Sequence, residues 1–126
     1  MMLENDISYL IRGAIFKVYN KLGPGLYEAV YILALKHELE KVKLNVKLEV
    51  GIPFIYDTQN LDLGYRMDML VENKVIIEVK SVEHLAEVHH KQVLTYLRLS
   101  NLKLAILVNF NVNEINNGIF RKVNNL

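Results

Sequence analysis

The chain has 126 residues, 52% hydrophobic and 23% charged, with a formal net charge of +1 and no cysteine. That length suits one domain, 1–126, with a substantial buried core, and that balance excludes a disordered chain. The lack of cysteine excludes disulfides and thiolate metal sites and fits a reducing compartment; a charge near zero does not mark a dedicated nucleic-acid binder, yet it leaves room for an enzyme with acids in its site and a local basic rim.

Ile7, Leu10, Ile11, Ala14, Ile15, Val18 and Leu22 recur at three- and four-residue intervals and predict an amphipathic helix. Asn5 or Asp6 suits its N-cap and Gly23-Pro24-Gly25 its stop. A second helix is expected from about Leu26 to Val42. From Leu44 the apolar period becomes two and runs through Tyr56, which predicts one long half-buried strand, at a sheet edge because Pro53 has no N–H for a ladder. Asp57 to Asn60 reads as a turn, Leu61 to Val71 as a second strand with a bulge at Gly64, and Val75 to Lys80 as a third. A third helix is expected from His84 or Leu85 to Leu99. The apolar run inside Lys103–Phe110 reads as a buried central strand, and Gly118 to Val123 as a short final one. The order is α-α-β-β-β-α-β: an α/β (α+β) chain with a mixed sheet of four to five strands flanked by helices. No secretory signal is visible, and the longest uncharged stretch, Leu104 to Asn113, is far shorter than a membrane span, so no membrane role and a cytoplasmic location are expected.

The residues with chemical promise lie on the second and third strands. Successive strand side chains alternate between faces, so Glu78 and Lys80 share one face and Ile77 and Val79 the other. Asp68 joins them across the hairpin if Val71 faces Val75 around a three-residue loop; a two-residue loop would send it to the opposite face. Facing carboxylates repel, and a divalent cation turns that repulsion into coordination. Alternating charge on a strand is often only its solvated face, but Ile76, Ile77 and Val79 predict a strand buried on both sides, where an unpaired charge is expensive. Glu28 shares a helix face with Tyr31, Ile32 and Leu35, and Gln92 lies in the row Leu85, Val88, Tyr96, Leu99. An N-terminal glutamate stabilised by the helix dipole and a glutamine bonded to a backbone carbonyl are the plainer readings of these two. His37, His84, His89 and His90 offer no i, i+4 pair and poor ligand geometry, although His89 is placed to reach the site rim. No Gly-rich phosphate loop or serine triad is present.

The strings Gly25-Leu26-Tyr27-Glu28-Ala29-Val30-Tyr31, Tyr65-Arg66-Met67-Asp68, Ile77-Glu78-Val79-Lys80, His89-x-x-Gln92-x-x-x-Tyr96-Leu97 and Leu107-Val108-Asn109-Phe110-Asn111 occur in this order over roughly Ile7 to Val123. The chain thereby resembles the GxxExxY proteins of the PD-(D/E)XK nuclease superfamily. The resemblance implies a restriction-endonuclease-like core and a metal-dependent phosphodiesterase acting on nucleic acid; it does not fix the substrate, and DNA is expected before RNA. It implies that Asp68, Glu78 and the Val79 carbonyl hold Mg²⁺ or Mn²⁺ and that Lys80 positions or helps deprotonate the attacking water. Glu28 and Gln92 would support the metal shell and the base, and Tyr31, His89, Tyr96 and Arg66 the substrate or the site. Lys41, Lys43, Lys47, Arg66, Arg121 and Lys122 are candidate rim cations; net charge +1 fits a small footprint or a homodimer that pools two basic edges. The rival readings are a non-catalytic nucleic-acid- or protein-binding module on the same scaffold and a metal-free structural domain.

Overall fold

A computed structural model describes residues 2–61 and 64–126. The first helix, α1 (Glu4–Leu22), buries Ile7, Ile11, Ala14, Ile15 and Val18, the stripe its spacing predicts. It starts earlier than expected: Leu3 is the N-cap, and Asp6, inside the helix, accepts the Leu3 N–H at 3.3 Å. Gly23, at φ +67°, ends α1 by donating its N–H to the Tyr19 carbonyl at 2.8 Å. The second helix, α2 (Glu28–Lys41), packs directly on α1 and buries Tyr31, Leu35 and Leu39.

The long strand expected over Leu44–Tyr56 is two pieces. β1 (Val46–Gly51) joins the main sheet, and Ile52-Pro53-Phe54 breaks the ladder because the proline ring removes a donor. β2 (Ile55–Tyr56) then pairs with β3 (Gln59–Asn60) in a separate two-stranded hairpin, so the turn expected at Asp57–Asn60 shrinks to Asp57 and Thr58. Asp57 adopts φ +56°, as tight hairpin turns require. Of the strand expected over Leu61–Val71, β4 occupies Arg66–Val71, and Asp62 and Leu63 lie outside the described residues. Gly64 (φ +75°) precedes β4 and is not a bulge within it.

β5 (Val75–Lys80) has the predicted bounds and pairs antiparallel to β4 with Val71 opposite Val75. The connecting residues Glu72 and Asn73 both take positive φ. α3 (Glu87–Ser100), starting later than expected, carries the chain over to β6 (Leu104–Asn109), which lies parallel to β5 and is buried throughout. A 3₁₀ turn (Ile115–Gly118) leads into β7 (Ile119–Val123), antiparallel to β6. The sheet order is β1-β4-β5-β6-β7, with β5 central and β1 on the edge that Pro53 predicts.

Alternation along β5 divides the core. Ile77 and Val79 pack with the buried stripes of α1 and α2, whereas Ile76 packs with Val93, Tyr96 and Leu97 of α3. Each buried aliphatic contributes about 1.5–3 kcal/mol, so these two layers fix β5 from both sides. Among the described residues no helix is long and apolar enough to cross a membrane.

Candidate active site at the β4–β5 fork

Met69 opposite Ile77 is the last regular pair between β4 and β5. Beyond it, side chains replace the ladder. The Asp68 N–H donates to Glu78 Oε2 at 2.6 Å, and the Val79 N–H donates to Asp68 Oδ2 at 2.8 Å. The two carboxylates thus lie together between the strands, as the three-residue loop requires. Glu78 is only 3% exposed and Asp68 half-buried.

The cause of this fork lies partly on β1. Glu72 donates its N–H to the Asn45 carbonyl at 2.9 Å, and regular antiparallel pairing repeats such bonds every second residue. Asp68 should therefore bond Glu49. That pair is missing from an otherwise continuous register of Leu48 with Met69 and Val50 with Met67, and Glu49 sits at φ +51°. β4 turns over at this point: Met69 packs in the α1–α2 core, but Met67, two residues away, packs in the α3 layer. The Asp68 N–H is thereby released from β1 and reaches Glu78.

Burial, and then the neighbouring Asp68 charge, push the Glu78 carboxyl up to about 8. Burial also raises Asp68, outweighing the Val79 N–H and the Lys80 charge that favour its ionised form, with Glu28 and Glu49 adding to the rise. Lys80, half-buried and one strand repeat beyond Glu78, makes no hydrogen bond or ion pair through its ammonium among the described residues. Its carbonyl accepts the Phe110 N–H at 3.0 Å, which anchors this end of β5 to β6.

The Gly-x-x-Glu-x-x-Tyr string works as a mechanical unit. Gly25 holds φ +97°, a conformation that L side chains resist. The buried Tyr31 hydroxyl donates to the Gly23 carbonyl at 2.6 Å and accepts the Leu26 N–H at 3.1 Å, clamping the turn, and its ring stacks on Phe110 at 4.3 Å. The start of α2 is then tied to the end of β5: Ser81 Oγ donates to the Leu26 carbonyl at 2.6 Å, and the Ser81 N–H to Glu28 at 3.4 Å. Glu28 therefore stands beside the fork, near enough for its charge to raise both acids.

From α3, Tyr96 approaches on the other side. Its phenol is raised by burial first and then by the Glu78 and Asp68 charges. Gln92 is half-buried and lines a cleft with Tyr65 and Tyr96; its amide makes no hydrogen bond among the described residues. The buried stripe of α3 is Val93, Tyr96 and Leu97, and Val88, expected in the same inward row, is 64% exposed. His89 is engaged at the start of α3, where Nδ1 accepts the Ala86 N–H at 3.0 Å; no bond joins it to the acids. Arg66, exposed at the start of β4 opposite Gly51, makes no ion pair among the described residues.

Sequence reasoning missed two supports. Glu49 carries no local signal of its left-handed backbone. Asn109, visible only within a longer string, braces the segment after β5: it accepts the Val82 N–H at 3.1 Å and the Asn111 N–H at 3.2 Å, and donates to the Val82 carbonyl at 2.9 Å.

The fork's chemistry suits a hard divalent cation. The two carboxyl groups, one buried and one half-buried, have no cationic side chain within ion-pair distance among the described residues, and each keeps an oxygen that makes no hydrogen bond there. The Val79 carbonyl faces the same gap, because an extended residue turns its N–H and C=O toward one neighbour. No three acidic or histidine side chains converge among the described residues, but Mg²⁺ is commonly held by one or two carboxylates with water completing its shell.

A mixed five-stranded sheet, three helices and this fork define an α+β domain of the restriction-endonuclease-like type. A family model described as the PD-(D/E)XK nuclease superfamily matches residues 5–122, and the chain belongs to that superfamily. Membership suggests nuclease activity, and a nuclease superfamily implies a nucleic-acid substrate. No curated protein and no solved structure matches the chain.

Proposed function

We propose that the protein is a Mg²⁺- or Mn²⁺-dependent nuclease that hydrolyses phosphodiester bonds, with DNA favoured over RNA, and that residues 1–126 form one domain of the GxxExxY kind. The observation that carries this reading is the fork itself: Asp68 and Glu78 are held together by backbone donors at 2.6 and 2.8 Å, with the Lys80 ammonium left without a partner among the described residues.

Asp68, Glu78 and the Val79 carbonyl would hold the ion, which when bound supplies positive charge and water activation. Lys80 holds the attacking water or balances the charge that grows on the phosphate. Glu28, standing off the pair on the Ser81 N–H, orients water at the edge of the site, and Gln92 does so from α3. Tyr31 acts through Glu28 by clamping the preceding turn, Tyr96 walls the fork, and Arg66 is an exposed cation available to a phosphate. His89, occupied at the helix start, contributes by fixing α3. The lack of cysteine agrees with a cytoplasmic location, and a homodimer pooling basic edges would meet the shortage of cations at net charge +1.

Cleavage of single-stranded circular DNA and of plasmid is the test. Cutting of at least one should require Mg²⁺ or Mn²⁺, stop in EDTA, and fall by roughly a hundredfold or more in Lys80→Ala. Lys80→Ala should stay folded with a melting temperature close to wild type, since its ammonium makes no ion pair among the described residues. An intact, folded protein that binds DNA but leaves it uncut with either ion would favour the non-catalytic binding module.

A further inference from the structure

A cleft of about 330 Å³ opens between α3 and the segments around the β2–β3 hairpin, lined among others by Phe54, Tyr65, Lys91, Gln92, Thr95 and Tyr96. We propose that this cleft receives an unpaired nucleobase, so that the substrate is single-stranded rather than duplex DNA; the inference rests on the nuclease reading above for the position of the scissile phosphate.

Continuity with the fork is the first argument. Tyr96 belongs to both, because it lines the cleft and the Glu78 and Asp68 charges act on its phenol. A strand entering the fork therefore passes this wall.

Ring geometry is the second. Tyr65 and Tyr96 lie 6.2 Å apart with a 54° tilt, and Tyr65 is 45% exposed whereas Tyr96 is 5%. The two rings form an open wedge with a buried floor and an accessible flap. The contrast within the same molecule is Tyr31 on Phe110, at 4.3 Å and 4°, where each ring uses up the other's face. Among the described residues no ring stacks flat on Tyr65, and a flat heteroaromatic ring is the chemistry that would cover its exposed face.

Charge is the third. With net charge +1 the protein is poorly equipped for binding dominated by many phosphate contacts, the mode that suits duplex DNA. Stacking is the alternative source of affinity, and it rewards only a base that is not already stacked on both sides. Lys91, on the cleft wall and paired only loosely with Glu87 at 3.6 Å on the surface, supplies one cation for the backbone that the base hangs from.

The test is fluorescence anisotropy in EDTA with a labelled single strand of mixed sequence and the same strand annealed to its complement. The single strand should bind more tightly than the duplex. Tyr65→Ala should weaken the single strand by about tenfold and leave the duplex unchanged, and Tyr65→Phe should restore it, consistent with stacking on one ring. Equal or tighter duplex binding, no binding of either, or a Tyr65→Ala loss that is absent or the same for both would overturn the proposal. Because the binding assay involves no cleavage, the two readings fail separately: strand-selective binding with neither single-stranded nor plasmid DNA cut removes the nuclease, and cleavage without strand-selective binding removes the base cleft.

Discussion

The Asp68 N–H donates to the Glu78 carboxylate at 2.6 Å while the Asp68 carboxylate takes the N–H of Val79 at 2.8 Å. Each acid is thus held by a backbone N–H of the other's strand, with no ion pair to either among the described residues. A site with this arrangement should respond strongly to added charge. Mn²⁺ or Mg²⁺ should raise the melting temperature progressively with concentration, adding about 2.7 kcal/mol of stability at a hundred times the dissociation constant. Asp68→Asn and Glu78→Gln should each remove the response, and thermal melts with and without EDTA would read it. A wild-type protein whose melting ignores both ions would sink the metal assignment.

Acidity of Glu78 gives a second expectation, for the protein in EDTA. Its carboxyl titrates at about 8 in the folded chain against an ordinary value of 4.5. The folded state therefore binds a proton that the unfolded state has lost throughout that window. Its contribution is fully present below pH 4.5 and disappears as the pH rises through 8, with Asp68, also raised, acting in the same direction. Urea titrations from pH 5 to pH 9 should show stability falling by on the order of a few kcal/mol. Glu78→Gln should flatten most of the slope.

The segment between β5 and α3 depends on Asn109, which makes three hydrogen bonds to Val82 and Asn111. Asn109→Ala should cost about 2 kcal/mol by leaving those backbone groups unpaired. Gly118→Ala should be at least as damaging, because a Cβ there would lie 2.3 Å from the Asn109 carbonyl oxygen. Chemical denaturation measures both. If the segment is pinned as described, Asn109→Ala should also speed amide exchange at Val82 more than in β6.

Glu49 supports the site from a distance. Its left-handed backbone, φ +51°, costs roughly 1–2 kcal/mol, and glycine accepts that conformation freely. Glu49→Gly should keep the wild-type stability and cation response. Glu49→Val, which resists positive φ, should lose about 1–2 kcal/mol and weaken Mn²⁺ binding, read by denaturation and by thermal shift.

Much of this was legible along the chain because the informative patterns are local. β5 announces itself through Ile76, Ile77 and Val79, and the three-residue loop that sets Val71 opposite Val75 brings Asp68 and Glu78 to the same gap between the strands. The Ile7–Val18 stripe of α1 is equally direct. The alternation through Tyr56 misled, since Pro53 ends the edge strand and does not merely mark it. The late start of α3 and the modest burial of Gln92 were hidden for another reason: helical spacing names a face but not which residue lies at its centre. The stack of Tyr31 on Phe110 and the release of the Asp68 N–H by Glu49 depend on chain segments meeting in space, and no single window of sequence contains both partners.

The turn-over of β4 sets two demands on β1 against each other. Straightening the outer strand would relieve Glu49 and send the Asp68 N–H back to the Glu49 carbonyl, and Glu78 would then lose the donor that steadies it. A variant selected for heat tolerance alone would drift toward the regular ladder and, in doing so, disarm its own acids. The irregular rim is thus the part of the sheet that ought to stay imperfect.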